Sequence, residues 1–256
     1  MYDFFNDPIE QEQVGPYTVK VLPDSDGEYA NPLDGEDLFN ITYRADSRYI
    51  LGNEPVRDVD EWIMDLVRAA DPDWEEYECN QEERIYADPD RAGKIEAAME
   101  KRKAKVIESS YHMVDVYTYI HSGVAMKAGG GFSCPWDSGR SGVIYAKKSD
   151  LREAFQVKRL TKAKIKEIEA QMRVIVQTYG EWLNGEVYGF VVEDEDGEVM
   201  ESCWGFVGIY SGGVAEALKE GKDMARFLIE QDEARAAANA QRLQDFSAAA
   251  AASMGA

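Results

Sequence analysis

Cys134, His121 and Asp137 are the residue types in this chain that a nucleophilic centre would use. A thiol attacks as its thiolate, so it needs a base or a cation beside it and a third group to orient that base. Arg140 lies six positions after Cys134 and would supply the cation. The competing reading of Cys134 is a buried cysteine that packs as a small apolar side chain. Metal binding is a second chemistry, because Cys134, Cys203, His112 and His121 are zinc-ligand types. Neither cysteine belongs to a Cys-x-x-Cys pair, and the histidines stand nine positions apart, on opposite faces of any regular strand. No metal and no cofactor is expected. A phosphate cradle needs glycines that lead into a helix N-terminus. The glycines of Gly129–Gly142 lead instead into the strand-like GVIYAKK, with no Gly-Lys-Ser/Thr and no Gly-x-Gly-x-x-Gly. Carboxylate spacing carries no acid–base information in a chain with 49 Asp and Glu.

The Ser-Cys wording of GGGFSCPWDSGRSG (Gly129–Gly142) returns in ESCWGFVG (Glu201–Gly208), each time with a tryptophan. Two roles compete. If the segments lie on neighbouring strands, or on a strand and its adjacent loop, two tryptophans and two thiols close one side of a core. Otherwise Cys134, Trp136, Asp137, Arg140 and Trp204 line a ligand cleft.

The formal charge is −21, and residues 1–100 hold 27 acids against 8 bases. Such a region repels phosphate and attracts a cationic surface. The partner expected is therefore a protein with a basic surface, without direct nucleic-acid binding; the competing role of the charge is solubility alone. The sharpest anionic segment is Asp71–Asp90, with nine acids and one base. Its candidate binding residues are Asp71, Asp73, Glu75, Glu76, Glu78, Glu82, Glu83, Asp88 and Asp90. The cationic VKRLTKAKIK (Val157–Lys166) reads as a solvated helix face, or as a contact for acidic groups.

Elements must position these residues. PYTVKVL (Pro16–Leu22) alternates as a strand, and LFNITYRADSRYILG holds one or two more. Val59, Trp62, Ile63, Leu66, Val67 and Ala70 recur at helical spacing behind an Asp58 N-cap, up to Asp71-Pro72. Asp71–Asp90 reads as irregular, and a charged, weakly packed helix follows from Asp88-Pro89 to about Ile107. YHMVDVYTYIHSGVAM (Tyr111–Met126) reads as a central strand. A short helix follows Ser149, and a longer one starts near Thr161 with the seam Ile165, Ile168, Met172, Ile175, Tyr179 and Trp182. Asp196-Gly197 predicts a two-residue hairpin turn that sets Trp204 opposite Gly189 and Cys203 opposite Phe190. A long helix runs from Val214 to about Phe246, ahead of a frayed alanine-rich end.

The order predicts an α+β fold, mainly an antiparallel sheet with packed helices and a long C-terminal helix. Residues 1–109 form an acidic region, 110–246 an α+β core and 247–256 a flexible tail, or the whole is one continuous domain. No apolar run of about 18 residues predicts a membrane span, and the acidic N-terminus does not resemble a signal peptide, so a cytoplasmic location is expected.

FSCPWDSG with GVIYAKK, and YGEWLNGEVYGFVVEDEDGEVMESCWGFVG after them, resemble a group of uncharacterised proteins encoded by bacteriophages and conjugative elements. The likeness covers about residues 17–55 and 110–210 and includes the His-x-Gly step of YIHSGVAM. It implies a context, an accessory protein in a bacterial host cytoplasm, and no reaction. With the charge, it leads to the expectation of a non-enzymatic interaction protein, in its sharpest form a DNA mimic that blocks a host defence or DNA-binding protein. The alternatives are an enzyme or small-ligand binder using the cleft around Cys134, Trp136 and Asp137, and a virion or scaffold component.

Overall fold

The computed structural model describes residues 7–134 and 136–254, with side chains described through 246. The fold is α+β, and the chain divides into two compact units: residues 1–31 with 185–256, and residues 32–184. In sequence, the second unit is inserted between two strands that pair in the first. The 109/110 boundary suggested by charge falls inside the second unit, where a helix ending at Ser110 runs straight into a strand starting at Tyr111. A boundary lies where few contacts cross, and a change in charge is no such signal.

The first unit is an antiparallel sheet of β1 (Glu10–Val14), β2 (Tyr17–Pro23), β8 (Val187–Glu193) and β9 (Val199–Val207), in that spatial order, packed by α6 (Gly213–Met254). Alternation puts Tyr17, Val19 and Val21 of β2 and Tyr188, Phe190 and Val192 of β8 on one face, where Val214, Ala217 and Ala225 of α6 meet them. β1 escapes the sequence pattern because Glu10–Gln13 is an exposed edge with no apolar alternation. The alanine-rich end, expected to fray, continues α6 to Met254, since alanine is the strongest helix former. Residues 255–256 of the expected tail lie outside the described residues.

The β8–β9 register is the expected one, Trp204 opposite Gly189 and Cys203 opposite Phe190. The turn is different. Asp194 and Glu198 close a three-residue loop with Gly197 at φ +80, and an irregularity between Val192 and Glu193 restores the register. Asp194 Oδ1 accepts from the amides of Asp196 and Glu198 and fixes the loop.

Gly221 brings α6 close to the sheet. A Cβ there would lie 2.5 Å from Cγ1 of the fully buried Val19 and 3.1 Å from the Phe190 ring. Alanine gains about 1 kcal/mol of helix propensity over glycine, but overpacking a core costs about 1–3 kcal/mol. Gly221→Ala is therefore expected to lower stability by about 1 kcal/mol net in urea unfolding.

The second unit holds a five-stranded sheet in the order β4 (Glu54–Val56), β3 (Asn40–Arg44), β7 (Ser138–Lys147), β5 (Tyr111–Ile120), β6 (Val124–Ala128). Only the β3–β4 pair is parallel. The long helix α5 (Lys162–Leu183) seats Ile168, Met172 and Tyr179 of its seam in the main core. Thr161 caps it, and Gly185 at φ +74 follows its end. The short helix α4 (Lys148–Ala154) starts before Ser149, so Ser149 is not its cap. Tyr111–Met126 is not one strand. His121-Ser122-Gly123 turns the chain, and β5 pairs with β6 as a hairpin.

Three further helices pack together: α1 (Val59–Ala70), α2 (Trp74–Ala87) and α3 (Ala92–Ser110). Asp58 caps α1 by accepting from the amides of Asp60 and Glu61. Val59, Trp62 and Ile63 of α1 pack on Val56, Val143 and Tyr145. The segment expected to be irregular is the helix α2. Its polar sequence has no broad apolar stripe to read, but glutamate, glutamine and arginine are good helix formers. Among the described residues no helix is long and apolar enough to cross a membrane.

Candidate functional site

α2 is held by its inner face. Trp74 is 2% exposed, and Gln81 is buried beside it. Arg102 of α3 lies 4.1 Å over the Tyr77 ring and 5.9 Å from the Trp74 ring, and bonds Asp71 at 2.7 Å. Asp71 is thus a structural anchor.

The opposite face is anionic. At 100° per residue, Glu75, Glu78 and Glu82 form one row and Glu76 and Glu83 a second, all within an arc of about 160°. Cys79 and Tyr86 stand between the rows, and Tyr86 is 91% exposed. No ion pair among the described residues uses any of the five glutamates, nor Asp73 or Asp90; Asp88 lies 3.8 Å from Arg91. Glu75 to Glu83 spans about 12 Å of helix axis, or one carboxylate per about 3 Å. One strand of B-DNA carries a phosphate every 3.4 Å or so.

The acids of the first hundred residues are divided between the two units. Residues 1–31 belong to the first unit, which carries 21 acids and 6 bases, while the second carries 28 and 22. In the second unit, the five glutamates of α2 form no ion pair among the described residues, whereas Arg140 donates to both Asp60 and Asp115 at 2.7 Å.

The nucleophile candidates do approach one another, in the wrong order. Asp137 Oδ2 lies 4.0 Å from Cys134 Sγ and 3.9 Å from His121 Nδ1, so the carboxylate is the hub. A thiol centre needs the base against the sulfur, and no hydrogen bond joins Cys134 to His121 among the described residues. Arg140 is committed to two carboxylates, and His121 is mostly exposed. Ser138 Oγ bonds the Cys134 carbonyl and closes the loop; Pro135 lies outside the described residues.

The cleft candidates belong to different units. Trp136 sits 91% exposed on the loop before β7, while Trp204 belongs to β9 of the other unit and is 39% exposed. The two Ser-Cys segments are not on paired strands: β9 pairs with β8, and Cys134 precedes β7 of the other sheet. Joint burial of the tryptophans is corrected by their exposure. None of the three cysteines is buried, so none packs as a core side chain. His112 and His121 stand at opposite ends of β5, and no group of three metal-ligand types that could hold an ion occurs among the described residues.

His112, considered in the sequence only as a zinc-ligand type, is a titratable group of the second unit. Its side chain is mostly buried, with Nε2 3.5 Å from Glu169. Burial lowers its pKa from 6.5 against the pull of Glu169, and Lys148 lowers it further. The folded protein therefore binds fewer protons at His112 than the unfolded chain below about pH 6.5. Stability is expected to fall between pH 7.5 and 5.5, and His112→Gln should flatten that slope in urea unfolding at the two pH values.

No family model, curated protein or solved structure matches the chain.

Proposed function

We propose that this protein is a non-enzymatic interaction protein that binds a basic surface of a partner protein through the carboxylate face of α2. One observation carries the reading: five glutamates share one helix face, and no cation among the described residues pairs with them. Two same-row pairs, Glu75–Glu78 and Glu78–Glu82, are like charges at i,i+3 and i,i+4, each destabilising by about 0.2–0.5 kcal/mol. A helix kept only for solubility has no need of that uncompensated cost. A cationic partner would turn the repulsion into attraction and speed encounter.

The resemblance to phage and mobile-element proteins supports a finer form of the proposal. The partner is then a host DNA-binding or defence protein whose phosphate site accepts α2, and the protein acts as a DNA mimic in the host cytoplasm. The linear charge spacing of α2 favours this form, being close to that of one DNA strand.

The test is capture of host proteins on the immobilised chain, followed by elution with duplex DNA at constant low salt. The proposal expects a DNA-binding protein to be retained by the native chain, released by DNA, and not retained by a Glu76→Lys, Glu83→Lys variant. Retention by both chains, or release by salt but never by DNA, would overturn the mimic reading.

A further inference from the structure

The first unit contains a cleft of about 480 Å³ that none of the readings above uses. Pro23, Asp24, Ser25 and Asp26 line it, and Tyr29 and Trp204 supply aromatic surface. Both rings are fixed from behind. Trp204 lies over Gly189, where a Cβ would come within 2.2 Å of the indole. The Tyr29 ring rests against Gly205, a glycine at φ +95, with 3.4 Å to the position a Cβ would take. The Tyr29 hydroxyl donates to Asp24 Oδ2 at 2.7 Å, and the Asp26 amide donates to Asp24 Oδ1 at 3.0 Å. Although Tyr29 is 59% exposed, local desolvation and the bond to Asp24 push its pKa up to about 12, so it remains a donor at neutral pH. Neither Asp24 nor Asp26 forms an ion pair among the described residues.

We infer that this cleft receives an arginine side chain presented by another protein. The chemistry of the walls selects it. An exposed indole and phenol face attract a cation through their quadrupoles, and a guanidinium stacks flat on such a face while its edge donates to carboxylates. Asp24 and Asp26 lie beside the rings to accept those bonds. A neutral occupant would forgo the attraction of the two carboxylates, and an anionic one would be repelled by them. The unit around the cleft carries 21 acids against 6 bases, which draws cations toward it. The site is independent of α2: it lies in the other unit and shares no residue with the carboxylate face.

The experiment is a titration of the full chain with N-acetyl-arginine amide, followed through the tryptophan indole N–H resonances, with Trp204→Phe used to assign the Trp204 signal. N-acetyl-citrulline amide, the neutral near-isostere, and N-acetyl-lysine amide are run in parallel. The inference expects a saturable shift of the Trp204 indole with arginine, a several-fold weaker one with lysine and none with citrulline. Asp24→Asn, Asp26→Asn should reduce arginine affinity at least tenfold while the other indole resonances keep their positions. Equal response to citrulline, an unshifted Trp204 resonance, or unchanged affinity in the double variant would overturn the inference. Loss of partner capture by the α2 variants would leave this outcome untouched, so the two proposals fail separately.

Discussion

Reversing Glu75, Glu78 and Glu82 to lysine is expected to weaken binding of a captured basic partner by about 100-fold or more. Each exposed pair is worth about 0.5 kcal/mol, and reversal replaces that attraction by a repulsion of similar size, so three reversals total about 3 kcal/mol. At about 1.4 kcal/mol per decade that is roughly two powers of ten. Folding stability should change little, since the variant keeps like charges at the same spacings. The single Glu78→Lys variant separates binding from folding more sharply. It converts both same-row pairs of α2 into opposite-charge pairs and should raise stability by about 0.5–1 kcal/mol. Its affinity should nonetheless fall by about five- to tenfold. High salt should shrink both effects. Equal affinity of native and triply reversed chains would remove α2 from the interface.

Trp74→Ala is expected to cost about 3–5 kcal/mol, the usual loss for a buried large aromatic. Trp74 is the first residue of α2 and the side chain that seats it, its ring tilted 56° against that of Tyr77 at a separation of 5.7 Å and lying beside Arg102. Its removal leaves a cavity and deprives the Arg102 guanidinium of an aromatic surface. The Trp74 Nε1 has no hydrogen-bond partner among the described residues, so Trp74→Phe gives up no bond seen there and should cost less, about 1–2 kcal/mol. Urea unfolding of both variants checks the ratio. A loss under about 1 kcal/mol for Trp74→Ala would mean that α2 is not anchored through this ring.

The elements with strong apolar periodicity were legible in the sequence. The seam of α5, the Asp58 cap of α1 and the β8–β9 register all follow from spacing. The register survived an incorrect turn because an irregularity one step along β8 cancelled the extra loop residue. What escaped was polar or closed by distant partners. β1 is an exposed acidic edge, and α2 shows its helical nature only through Trp74 and Gln81. The split into units was illegible because β2 and β8 pair across more than 160 positions, and no composition change marks a discontinuous unit. The candidate glutamates were grouped as a segment, but their common face depended on that unseen helix. The Trp204 cleft depended on Tyr29 and Asp24, brought near β9 by the long-range β2–β8 pairing.

Cys79 offers the most direct measurement of the central claim, because it stands between the two rows of α2 glutamates and is exposed. Alkylation rates of Cys79, Cys134 and Cys203 can be followed together by mass spectrometry, with and without the captured partner. Binding through α2 predicts that Cys79 modification slows at least several-fold in the complex. Cys79 alkylated at the same rate in the free and bound chains would contradict the account.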